Sequence, residues 1–309
     1  MRTTQKHLLL TCSLALMTFF SGPGALAQQV DYSINYNDPY DITKLKGILL
    51  LNLDNIVIPS AGLMARYEMG KIFTFDAQYK RSFYYLIPID QTKSLTNNVR
   101  KATNTFEVLG TFHILDRLVD KTLKISLKTT SYGSHTETES MRIPVKSRKI
   151  FGARGGLYFY RAPVSASSTA STPVVFKSKQ DTVQYRDNAL TMGTATGSFL
   201  GLSSRRIDKA GVHVDGYGNR RRNRQREFYA DVMIGGTKLD DLHLINGKTV
   251  SVTTATRPIG WRVGGQWMDN GTFVRMEIGQ MPFVTGAKLM LNFNFGFFIF
   301  GREKKMKQS

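Results

Sequence analysis

Apolar and polar side chains alternate along most of this chain, most cleanly near its end. Leu289, Leu291, Phe293, Phe295, Phe297 and Ile299 share one side, with Asn292, Asn294 and Gly296 between them. A period of two is what an extended strand imposes, and no helix spaces residues this way. The same period runs through 73–80, 106–114, 123–128, 151–160, 228–234, 259–267 and 274–278, and more weakly through 46–58, 62–68, 140–146 and 194–206. With 287–300 these make about twelve strands, in a range of 10–12. Asp269-Asn270-Gly271, Thr285-Gly286 and Gly70-Lys71 supply turn chemistry between neighbours. No segment carries a helical period, so the expected class is all-β, an antiparallel up-and-down sheet without βαβ units.

Two architectures share that pattern and give its faces opposite meanings. A soluble sandwich or lipocalin-like barrel points its apolar residues inward and would bind an apolar ligand there; a transmembrane β-barrel points them at lipid and lines its lumen with the polar ones. A last strand of about a dozen residues is long for a soluble sheet and suits an oblique path across a bilayer. Trp261 and Trp267 share a face six residues apart, about 20 Å along a strand or about 15 Å of depth at a ~40° tilt. They are expected in interfacial girdles, with Tyr158, Tyr160 and the pair Tyr84-Tyr85 as further candidates. The expectation is therefore a transmembrane barrel.

The first 27 residues change where that barrel belongs. Arg2 and Lys6, an apolar stretch over 8–20 and Ala25-Leu26-Ala27 read as an export signal cleaved after Ala27. The chain's single cysteine, Cys12, leaves with it, which excludes a disulfide framework and thiolate chemistry. The expected organisation is a signal at 1–27, a periplasmic segment at 28–45, the barrel at 46–300 and a basic tail at 301–309. Past the signal there is no apolar run long enough for a membrane helix. Lys+Arg number 42 against 23 Asp+Glu; export argues against nucleic acid as the partner of this surplus and favours envelope polyanions or acidic proteins. The membrane partner is outer-membrane lipid.

The Gln28-Gln29 start of the mature chain, the Gly-aromatic strand from Gly152 to Tyr160 and the phenylalanine-rich last strand resemble small outer-membrane β-barrel proteins of Gram-negative bacteria, especially the Bacteroidetes type. The resemblance is one of texture across most of the mature chain. It implies an outer-membrane location. One departure is that such barrels end on a terminal aromatic, whereas Phe300 is followed by nine more residues.

Candidate chemistry is sparse. Arg220, Arg221, Arg222, Arg224 and Arg226, with Arg205 and Arg206 nearby, form an anion-binding candidate on a connector at 207–225, expected on the same side of the membrane as the tail. The polar faces place Lys80, Lys124, Lys128, Arg154, Arg262 and Arg275 in the lumen against Asp76, Glu107, Glu227, Asp231 and Glu277. So balanced a set points to a charge-paired, narrow or closed lumen. His113 and Ser126, read as polar-face residues of neighbouring strands, are the only base and nucleophile worth weighing for a lipid hydrolase, and no carboxylate is placed to orient His113. Gly152, Gly155 and Gly156 lack the lysine of a phosphate loop and read as close strand packing. Neither a metal site nor a cofactor is indicated. The expected role is a structural, interaction or narrow-porin barrel without catalytic chemistry.

Overall fold

A computed structural model describes residues 31–54, 58–83, 95–96, 102–133, 135–169, 172–269, 271–286 and 289–301. The export signal, Tyr84-Tyr85, Asn270 and the tail cations Arg302, Lys304, Lys305 and Lys307 lie outside these residues. Ten strands close into one antiparallel barrel: β1 (Leu45–Asp54), β2 (Ile58–Met69), β3 (Phe73–Ser82), β4 (Asn104–Tyr132), β5 (His135–Ser165), β6 (Leu190–Val214), β7 (Gly218–Leu239), β8 (Ile259–Asp269), β9 (Thr272–Gln280) and β10 (Met290–Phe300). Each pairs with its sequence neighbour, and β10 pairs with β1 to complete the ring. An eleventh strand, Tyr32–Tyr36, stands outside the ring against β6. The segments 106–114 and 123–128 are one strand, and so are 140–146 and 151–160; this is why twelve alternating segments make ten strands.

The outer wall is apolar. Leu63, Leu157, Leu200, Phe228, Trp261 and Phe293 are all exposed, while the alternate positions Arg66, Arg154, Arg262 and Asn294 are no more than 4% exposed. In β10 the phenylalanines Phe293 and Phe297 point out and Asn294 points in. This is the face code of a transmembrane barrel, and it excludes the soluble reading in which the phenylalanines would fill the interior.

The two ends differ. At the end where β1 begins and β10 finishes, hairpins turn on glycines in the left-handed region, Gly70 (φ 57°), Gly133 (58°), Gly216 (79°) and Gly271 (122°), a conformation that costs other residues strain. Four of the five connections at the opposite end are longer. From them Phe176, Leu242, Val250, Val252, Phe283 and Val284 pack over the inward-facing Tyr158, Ala195, Phe199 and Met233, forming an apolar cap on the mouth. Nearer the termini end Ile48, Leu50, Met64, Met268, Phe273 and Phe298 make a second inward apolar cluster. Charged residues lie between the two clusters, and on β1 and β2 Lys46, Arg66 and Glu68 also lie between the second cluster and the termini end.

Beyond Phe112, paired with Phe73, β4 loses β3 as a partner and continues with β5 as a free hairpin. Beyond Ser147, paired with Asp208, β5 also leaves β6, and Tyr32–Tyr36 takes its place along β6. The two hairpins then fold onto each other through Leu123, Ile125, Ile143 and Val145 on one side and Ala210, Val212 and Val214 on the other. No bulge interrupts β5–β6 or β6–β7. By the period of two, Val145 and Ile143 therefore continue the face of Phe151 and Leu157, and Val212 continues the face of Leu200. The side that meets lipid in the barrel becomes a buried core in the arm, because beyond the bilayer that apolar face would otherwise meet water. Polar contacts clasp the layers: Tyr217 donates to Glu139 at 2.6 Å, Arg220 to the Leu127 carbonyl at 2.6 Å, and Lys121 pairs with Asp208 at 2.9 Å. The bond to Glu139 raises the Tyr217 hydroxyl above its ordinary pKa.

The arm's core is separate from the barrel's interior, so the two should fail separately. Replacing the fully buried Ile143 by Ala should cost about 2–5 kcal/mol of arm packing. The expected result is trypsin cleavage at Lys128 and Arg142 while the barrel stays folded and heat-modifiable on a gel.

Candidate functional site

The lumen is where the sequence concentrates its chemistry. Inward positions bring together seven cations, Lys46, Arg66, Lys80, Arg154, Arg205, Arg262 and Arg275, and six carboxylates, Glu68, Asp76, Glu107, Glu227, Asp231 and Glu277, none more than 5% exposed. Their contacts run across the barrel as well as between neighbouring strands. Arg262 on β8 donates to Glu107 on β4 at 2.7 and 3.1 Å and to Asp231 on β7 at 2.8 and 3.1 Å. Arg66 forks onto Asp76 at 2.6 and 2.5 Å and reaches Glu227 at 3.5 Å across the lumen. Arg205 on β6 bonds Glu68 on β2 and Gln225. Arg275 on β9 donates to Gln78 on β3 at 2.9 Å and to Gln266 at 2.8 Å. Arg154 lies 2.8 Å from Asp231 and stacks 3.7 Å over the Tyr229 ring.

Tyr229 holds this layer in place. Its hydroxyl donates to Glu277 at 2.6 Å, and its ring lies against Gly264, where a Cβ would come within 2.6 Å of it. Only glycine leaves room there for the ring. Near the termini end, His113 Nδ1 donates to the Lys71 carbonyl at 3.0 Å, and its Nε2 lies 2.9 Å from Thr74 Oγ1. The chain entering β1 passes close by, with Tyr40 between Lys71 (4.4 Å) and Arg148 (4.6 Å).

Asp76, Lys80, Glu107, Arg154, Asp231, Arg262, Arg275 and Glu277 therefore line the lumen. Lys124 and Lys128 do not: both are exposed on the arm, beyond the barrel. Tyr158 and Tyr160 are not girdle residues either. The period of two puts them on the face of Arg154, Tyr158 is 4% exposed, and Tyr160 packs edge-on against Phe283 beneath the cap. Trp261 and Trp267 face outward toward opposite ends of the barrel. Ser126 lies on the same strand as His113, roughly 40 Å along it, and is exposed on the arm, so the two form no pair. Arg66, Glu68 and Lys46 were missed because their strands are apolar and only weakly alternating.

The arginine-rich segment is a hairpin, not a loop: 207–225 runs through the β6–β7 turn with every residue of β7 paired. Alternation splits the cluster. Arg205 is spent in the lumen on Glu68. Arg221 is exposed on the arm, Arg220 and Arg222 are half-buried there, and Arg206, Arg224 and Arg226 face outward near the edge of the lipid zone.

Apolar wall, polar interior and closed ring define this chain as a transmembrane β-barrel with a charge-filled lumen. No protein-family model matches the sequence, and no curated protein does. A solved structure, OmpT (in-vitro folded), an outer membrane protein of Vibrio cholerae, aligns over 87% of this chain and 97% of its own, at 8% identity and a TM-score of 0.18, a likeness too slight to carry an argument.

Arg262 is the side chain whose loss should be felt most. Arg262→Met leaves Glu107 and Asp231 buried with their principal partner gone, a change expected to destabilise the barrel by about 3–5 kcal/mol. Guanidinium unfolding followed by tryptophan fluorescence measures it, and Arg262→Lys should recover only part, since an ammonium cannot fork onto both carboxylates.

Proposed function

We propose that this chain is an outer-membrane protein whose barrel is a closed anchor rather than a porin or an enzyme, and that it works through the surfaces it carries at the bilayer's edge. The observation behind this is the lumen, in which none of the thirteen described cations and carboxylates named above is more than 5% exposed. A conducting pore needs a continuous wet path, and here transverse ion pairs fill the interior, an apolar cap covers one mouth, and towards the termini an apolar cluster and the buried Glu68–Arg205 pair fill the other. On the solvated face of the arm Lys124, Lys128, Arg142 and Lys146 outnumber Asp120 and Glu139, with Lys124 opposite Arg142 and Lys128 opposite Glu139. An acidic protein or a polyanion is the partner that such a face suits, and its attraction should fade once added salt shortens the screening length to ~10 Å.

Planar-bilayer recording tests the anchor reading. The purified barrel should insert without unitary conductance steps; stable steps of one size would overturn it. Orientation is read by labelling intact cells with an impermeant thiol reagent. Lys248→Cys, in a long connection, should react, and Asn219→Cys, on the arm, should react only after the outer membrane is breached.

A further inference from the structure

The outward arginines enclose a site of their own. At the termini end of the outer wall, Arg224, Arg226, Trp267, Asp269, Thr272 and Val274 line a cleft of about 440 Å³. Register aligns Lys149, Arg206, Arg226, Trp267 and Val274 as one row around the wall. One row nearer the barrel's middle lie Phe151, Phe228, Met276 and Phe293. The cleft therefore opens where the apolar wall ends.

Its charge is unbalanced. Of the residues that line it, Arg224 and Arg226 face a single carboxylate, Asp269; in the same two rows Lys149 and Arg206 stand further round the wall, where Asp208 is bonded to Lys121 and Ser147 and lies 3.8 Å from Arg206. Arg224 reaches Asp269 at 3.5 Å, whereas the Arg226 side chain makes no hydrogen bond or ion pair among the described residues and acts on Asp269 only through its charge. Trp267 packs edge-on against Phe228, ring centroids 5.7 Å apart, leaving one flank to the cleft.

We propose that this cleft binds the headgroup phosphate of an anionic glycerophospholipid in the leaflet at the termini end, a proposal that rests on the membrane-barrel reading. The guanidinium forks of Arg224 and Arg226 take the phosphate oxygens, Trp267 sits at the glycerol level, and the acyl chains run along Val274 and Phe228. Neighbouring arginines at the edge of a low-dielectric wall repel one another, and a bound phosphate relieves that repulsion.

Brominated lipids test this, because the chain has two tryptophans and only Trp267 borders the cleft. In phosphatidylcholine vesicles containing a minor fraction of brominated phosphatidylglycerol, Trp267 in a Trp261→Phe background should be quenched well beyond what the mole fraction requires, as a local enrichment of roughly tenfold produces. Arg226→Gln, which removes no internal partner, should abolish the excess, and Arg226→Lys should retain part of it. Trp261 in a Trp267→Phe background should show no excess. Quenching at the bulk mole fraction in both backgrounds would overturn the proposal, as would an equal excess at both tryptophans, which a diffuse attraction to a basic protein would give. Loss of the excess on adding equimolar lipopolysaccharide would assign the site to that lipid and overturn the glycerophospholipid assignment. Quenching of Trp267 by brominated phosphatidylcholine alone, measured first, establishes insertion, so failure of the membrane reading and failure of the cleft are told apart.

Discussion

Hydrocarbon offers the backbone no hydrogen-bond partner, so a sheet that enters a bilayer must close on itself. Every other feature of this molecule follows from how tightly it closes. Ten strands leave an interior narrow enough for Arg262 on β8 to reach Glu107 on β4 and for Arg275 on β9 to reach Gln78 on β3. Side chains of opposite walls therefore touch, and the lumen must be solved as a packing problem. Apolar filling is confined to a capped mouth and to one cluster nearer the termini.

In the middle the chain uses ion pairs, whose desolvation cost is offset only if almost every charge finds a partner. The near balance of inward charges meets that condition, and the basic surplus is displaced to the arm, the outer rim and residues outside those described. Glycines serve the same geometry. Gly264 lets the Tyr229 ring lie flat on the wall, and that ring carries Arg154 on its face.

Much of this was legible in the sequence because a strand's period of two assigns faces without any knowledge of partners. Asn294 between Phe293 and Phe295, or Arg262 between Trp261 and Val263, is enough to say which side meets lipid. The period does not say where a strand leaves the membrane. Lys124 and Lys128 alternate as well as Arg154 does, yet they lie on the arm, where the same alternation has water on its polar side. Tyr158 shows the reverse error: it shares parity with Arg154, and its aromatic character suggested the girdle against that parity. The segments flanking 115–122 and 147–150 looked like separate strands because alternation weakens where the buried face changes sides. That weakening was itself the signal of the junction between barrel and arm, and transverse partners such as Arg205 with Glu68 need the closed ring before they can be seen.

One face of β7 shows the whole gradient. Arg220 stands in the arm and bonds the Leu127 carbonyl, Arg224 and Arg226 stand at the edge of the wall, and Phe228, Val232 and Ile234 follow along it, all at even positions and all on one side. The packed arm, the basic edge and the apolar wall are met in turn along this one face of a single strand. An arginine-rich run is usually read as a solvated loop, because adjacent like charges repel. In an extended strand the repulsion is halved by geometry, since neighbours point to opposite sides and same-side residues stand about 7 Å apart. Long, flexible guanidinium side chains can also lean toward the aqueous side. A strand crossing into the membrane is thus a place where such a run is tolerated. Its position in the chain marks the boundary more sharply than the tryptophans do, because charge tolerates a misplaced depth less well than an indole ring.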